Sequence, residues 1–439
     1  MNAALTAFGN LFLAMALTSA GCTANRPFRT NFDAAGGDPT KSVIESTSDY
    51  KLGFVEFDDQ GWFWDGRQRS VVEQMVRDQA GLGSGATAQG IILVAFVHGW
   101  KDNAAYDDFG VEAFRDILRQ LNAAEQVQTD HAPRKVVGVY IGWRGLSATV
   151  EPFKELSFWE RKDTAHKVGG YGAMTELLVD LENIQKASLD SLPDNASPTE
   201  LIIIGHSFGG AAVYSALSQI IAERFADTVQ KGKRLKPLGD QVILLNPAFE
   251  ALRHYDLNQM ALNVRNYPQD QRPVLSIFTS KGDWATHYVF PIGRFFSTLF
   301  EANRDHEQKI ASLETVGWFK PFITHELDYS PKASFPSTQA ASTAATQGRP
   351  DRLALLASVN NVKAQRSRWH PNGPAPQTYH FDESILKPID GFHPGNPFLI
   401  VSVDQQIMYD HNDITNQRLI NFIREYIQFC QIDSKDPPK

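Results

Sequence analysis

Cysteine is nearly absent: Cys22 and Cys430 are the only two in 439 residues. A disulfide framework is therefore excluded, as is a metal site built on thiolates. The twelve histidines form no H-E-x-x-H or H-x-H pair, which leaves a metal-hydrolase reading with little support, and no metal or organic cofactor is implied. No block of like charges occurs, and the net charge of −8 with a pI near 5.9 excludes a nucleic-acid surface. What remains, 42% hydrophobic and 21% charged, is the balance of a globular chain long enough for one large elaborated domain or two smaller ones.

The start of the chain is a targeting segment. Leu11–Leu17 is an apolar run too short to span a bilayer, and small residues follow it up to Ser19-Ala20-Gly21-Cys22. That ending resembles the cleavage site of bacterial lipoproteins, which implies lipid attachment at Cys22, export, and an anchor facing the periplasm or cell surface. No Lys or Arg precedes the run, and Ser19 stands where a branched apolar residue is usual. An uncleaved start, or a soluble secreted or periplasmic protein, is the alternative. Residues 1–22 are thus assigned to the signal segment, and the polar stretch 23–48 to a tether.

The rest, 49–439, reads as a single domain of alternating strands and helices. Leu52–Phe57 and Gly61–Trp64 read as a β-hairpin. Continuous apolar runs at Ile91–Val97, Val136–Ile141, Leu201–Ile204, Gln241–Leu245, Val274–Thr279 and Phe398–Val403 suit strands buried on both faces. Helical patterns lie at 71–79, 114–121, 174–184, 211–222 and 415–429. Such alternation argues for an α/β fold with a mostly parallel sheet covered on both sides. The stretch 297–396 is too long for a connection and reads as an insertion before the last strand, with a low-complexity linker at 337–348.

The chemistry gathers at Ile204-Gly-His-Ser-Phe-Gly-Gly210. A buried strand, the pattern Gly205-x-Ser207-x-Gly209 and a following helix make a nucleophile elbow, in which the serine projects from a strained turn. Gly205 and Gly209 remove the Cβ atoms that would collide where strand and helix cross. The alternative is a glycine-rich turn with an incidental serine.

With this elbow, Phe96-Val-His-Gly-Trp100 and Tyr140-Ile-Gly-Trp-Arg-Gly145, the chain resembles the α/β-hydrolase superfamily, and within it a bacterial group of serine esterases with mostly unassigned substrates. The resemblance implies the order nucleophile, acid, histidine. Ser207 matches the nucleophile. Asp283, just past the Val274–Thr279 strand, fits the acid, with Glu250 and Asp256 as rivals and a backbone-capping turn aspartate as the alternative. His411, between the last strand and the last helix, fits the base, and His393 is the weaker choice. The oxyanion hole falls to the backbone N–H groups of Trp100 and Phe208. His98 and Trp100 otherwise pack the loop, and His206 orients the elbow rather than taking protons.

These residues imply a serine hydrolase acting on a lipid or small acyl ester through an acyl-enzyme. An acyltransferase, thioesterase or amidase would use the same nucleophile, and an anchored binding protein on a hydrolase scaffold is the reading from another class. Trp318, Phe319 and Phe322 are expected to line a cover over the acyl pocket, or else to bury in a small core of the insertion.

Overall fold

The computed structural model describes residues 25–33, 36–83, 85–147, 153–193, 196–264, 266–268, 270–331, 352–369, 377–392 and 395–431. Residues 1–22, read as a signal segment ending at Cys22, the stretch 337–348 read as a linker, and His393 lie outside them.

Eleven strands form one sheet: β1 Ile44–Ser46, β2 Lys51–Glu56, β3 Ile91–Val97, β4 Lys135–Gly142, β5 Glu200–His206, β6 Gln241–Leu245, β7 Leu275–Ser280, β8 His325–Tyr329, β9 Tyr379–His380, β10 Ser384–Pro388 and β11 Phe398–Val403. Their order is β1-β2-β4-β3-β5-β6-β7-β11-β8-β10-β9. Every pair from β2 through β8 is parallel, and the antiparallel pairs are confined to the two edges. The helices are α1 Gly66–Gln79, α2 Phe109–Val127, α3 Phe153–Gly170, α4 Ala173–Ser191, α5 Phe208–Thr228, α6 Tyr255–Leu262, α7 Phe290–Ser297, α8 His306–Leu313, α9 Arg352–Ser367 and α10 Gln417–Cys430.

Strand pleating explains why the central runs are apolar throughout. Along β3, Ile91, Leu93, Ala95 and Val97 enter the core under α1 and α3–α6, while Ile92, Val94 and Phe96 enter the one under α2 and α10. Helices on both faces leave no polar side for such a strand. Asp65, Asp108 and Asn416 cap α1, α2 and α10 by accepting a backbone N–H of the first turn, which fixes where those helices begin.

Three expectations are corrected. The hairpin is absent, because both edges of β2 are taken, by β1 on one side and β4 on the other. The stretch after it keeps a single bridge, Phe57 to Phe63. Nor do the described residues between 25 and 48 form a tether. They contribute β1, and the guanidinium of Arg29, fully buried, lies over the Phe54 ring, pairs with Glu45 at 2.8 Å and donates to the Ala104 carbonyl. A paired cation stacked on a ring can be buried where a lone one cannot. Finally, the insertion extends the sheet: β8 lies parallel beside β11 and carries β10 and β9 on its outer side. Phe319 and Phe322 are buried in the main core, with Phe322 packed on His254 and Tyr255, so neither lines a cover.

Candidate active site

Ser207 follows β5 directly, and its backbone is forced to a φ of 54°, with α5 starting at the next residue. Non-glycine residues hold positive φ only where their surroundings over-determine it. Here β5 and α5 cross so closely that a Cβ on Gly205 would come within 2.8 Å of the Gly210 backbone. One on Gly209 would come within 2.2 Å of the Val97 carbonyl. The result is a hydroxyl held at the tip of the turn, at the C-terminal ends of the central strands.

Three chain-distant side chains meet there. The Ser207 Oγ lies 2.7 Å from His411 Nε2, and His411 Nδ1 lies 2.9 Å from Asp283 Oδ2. All three are buried. Burial alone would favour a neutral Asp283 acid. The neighbouring His411 and hydrogen bonds from His411 and from the Thr286 hydroxyl and amide together outweigh it and hold the carboxyl below its usual range. An ionised Asp283 only accepts, so His411 carries its proton on Nδ1 and offers bare Nε2 to the serine hydroxyl. Asp283 also caps Thr286 N–H at 3.0 Å, so the capping and histidine-holding roles coexist in one side chain.

The backbone N–H groups of Trp100, in the loop after β3, and of Phe208, at the start of α5, have no acceptor among the described residues. His98, in the same loop as Trp100, is fully buried. Its Nε2 accepts the Trp143 N–H at 2.9 Å, so Nδ1 carries the proton and donates to the Gly99 carbonyl. Burial depresses its pKa to about 4. It packs the loop and takes no proton.

The rival acids are engaged elsewhere or misplaced. Glu250 pairs with Lys162 at 2.7 Å and Arg294 at 3.0 Å, and Asp256 sits exposed in the first turn of α6. Sequence reasoning missed Thr286, which donates its hydroxyl to Asp283 Oδ2 at 2.6 Å, and the part of Trp318, whose indole N–H donates to that hydroxyl at 3.1 Å. Trp318 thus supports the acid. The Asp283-x-x-Thr286 spacing at a helix entry was the one available signal, since it is that of a side chain capping the third amide on. Among the described residues, no group of three or more His, Cys, Asp or Glu could hold a metal ion, and no helix is long and apolar enough to cross a membrane.

No family model and no curated protein matches the chain. Among solved structures it is similar to a Trichoderma reesei cutinase in complex with a C11Y4 phosphonate inhibitor, at 17% identity and a TM-score of 0.18, over 42% of this chain and 65% of that one. It is also similar to a structure from a study of two prolyl endopeptidases, at 16% identity and a TM-score of 0.19, over 44% of this chain and 26% of that one.

Proposed function

We propose that this protein is a serine hydrolase of the α/β-hydrolase type that cleaves carboxylic esters through an acyl-enzyme. The observation that carries the reading is the unbroken hydrogen-bonded series Ser207–His411–Asp283, at 2.7 and 2.9 Å, on a strained strand-to-helix turn. Ser207 Oγ attacks the acyl carbon as His411 Nε2 takes its proton. The tetrahedral oxyanion is met by the Trp100 and Phe208 N–H groups, which have no acceptor among the described residues. Collapse expels the alcohol, which takes the proton back from His411. Water then repeats the sequence on the acyl-enzyme and frees the carboxylic acid. Asp283 stays ionised throughout and stabilises the imidazolium.

The test is a fluorophosphonate probe together with a chain-length series of chromogenic esters. Labelling and turnover are expected for the full chain and for neither in Ser207→Ala. Labelling that persists in the variant would move the nucleophile elsewhere. We also propose that the protein is exported and held at a membrane by an acylated Cys22. Intact mass of the chain expressed in a bacterium checks this, and a mature product without acyl mass overturns the anchor while leaving the hydrolase reading untouched.

A further inference from the structure

The acid and the base of this site ride on loops after different strands, β7 and β11, and the reaction needs them in register. Asn246, the first residue after β6, stands between the two loops and is fully buried. Its Oδ1 accepts the Ser280 N–H at 2.8 Å, at the end of the strand that leads to Asp283. Its Nδ2 donates to the carbonyls of Asp410 at 3.1 Å and His411 at 3.0 Å. Its backbone is held at a φ of 44°, a conformation that asparagine tolerates better than most residues.

The His411 carbonyl receives a second hydrogen bond, from His206 Nε2 at 2.9 Å, which fills both of its lone pairs. A carbonyl acceptor requires the proton on His206 Nε2, and Nδ1 is left buried and bare. Ser280 ties the same loops again, its hydroxyl donating to the Met408 carbonyl at 2.6 Å and accepting the Gly282 N–H at 3.0 Å. The approach is close enough that a Cβ on Gly282 would come within 2.1 Å of the Tyr409 carbonyl.

We propose that Asn246, assisted by His206, is a positioning residue that locks the His411 loop onto the strand carrying Asp283 and so sets the geometry of the three reacting groups. It touches no substrate. The inference rests on the serine-hydrolase reading and adds to it a dependence on a side chain outside the triad. Its size follows from the sensitivity of such sites, where a misplacement of about 1 Å can cost roughly 10²-fold in rate.

The experiment compares the full chain with Asn246→Gly, His206→Gln and His206→Leu. Glycine removes the amide yet accepts the positive φ, and glutamine at 206 retains an N–H donor that leucine lacks. Turnover of an acetate ester and the downfield proton resonance of His411 Nδ1–H are both measured. Asn246→Gly is expected to lose about 10²-fold in kcat with KM nearly unchanged, and to lose or broaden that resonance. His206→Leu shows a smaller loss of the same kind, and His206→Gln restores it. A folded Asn246→Gly with the parent's kcat and resonance overturns the proposal. If Asn246→Gly does not fold, the two His206 variants decide, and equal behaviour overturns it. If the parent chain turns over no ester, the hydrolase reading fails by itself and the resonance still decides the lock: its persistence in Asn246→Gly refutes it, its loss upholds it.

Discussion

Two aromatic-rich runs follow Asp283, and the fold treats them in opposite ways. From Trp284 to Phe300, one turn of π-helix and then α7 leave Trp284, Tyr288, Ile292, Phe295, Phe296 and Phe300 exposed. Arg294 is the only Lys, Arg, Asp or Glu in that run, and it turns inward to Glu250. From Trp318 to Phe322, Phe319 and Phe322 are buried among His254, Tyr255 and each other, and Trp318 stacks on His287. Both runs are rich in aromatic residues. What differs is whether another element passes over them: the segment entering β8 runs along the main core, whereas the outer face of α7 has nothing packed on it among the described residues. Apolar surface beside the acid loop is thus supplied by the first run, and the second is scaffold. Apolar composition alone could not separate them, because burial is a property of the pair and not of the side chain.

That contrast divides the expected effects of mutation into chemistry, packing and substrate contact. The largest loss is chemical. Ser207→Ala is expected to abolish ester turnover while leaving the thermal unfolding midpoint near that of the parent, and unfolding at a much lower temperature would mean that the elbow serine is scaffold instead. Asp283→Asn comes next, because the imidazole would then favour the wrong tautomer. The corresponding change in a serine protease costs about 10⁴ in kcat, and His411→Ala is expected to be at least as severe while His393→Ala keeps most of its activity. Steady-state kinetics on folded variants check this group.

Packing is the middle tier. Phe322→Ala removes a buried ring, so a loss of about 3–5 kcal/mol in denaturant-unfolding stability is expected, with the preference for acyl length unchanged. A selective rise in KM for long esters would return this ring to the substrate pocket. The smallest effect belongs to the exposed run. Tyr288→Ser and Phe296→Ser are expected to leave stability and acetate turnover alone and to weaken binding of long acyl chains, by at most ~0.8 kcal/mol for each methylene that loses its contact. Equal KM values for short and long esters would detach the run from the substrate and complete the contrast in the other direction.

Much of this was legible beforehand, for reasons that can be named. The limits of β3, β6 and β11 follow from the sequence because a strand buried on both faces must be apolar from end to end. Five of the helices were recognised and all but the last drawn too short; α2, for one, begins at its Asp108 cap rather than at its first apolar stripe residue. Local pattern failed where the partner was distant. Nothing near β2 announces that β1 and β4 occupy its edges, and a short turn with aromatic flanks imitates a hairpin. Arg29 in a polar stretch looks solvated until Glu45, Phe54 and the Ala104 carbonyl are brought around it.

By itself the sequence determined the layered α/β arrangement and a serine on a strand-to-helix turn, because hydrophobic period and turn glycines act over a few neighbouring residues. The superfamily resemblance also pointed to Asp283 and His411, in that order, after that serine. Only the tertiary structure decided that these two come within 2.9 Å of each other, that Asn246 hydrogen-bonds both Ser280 and the His411 carbonyl, and which aromatic run faces water. Those outcomes depend on contacts between residues far apart in the chain, and such contacts leave no periodic trace in either segment.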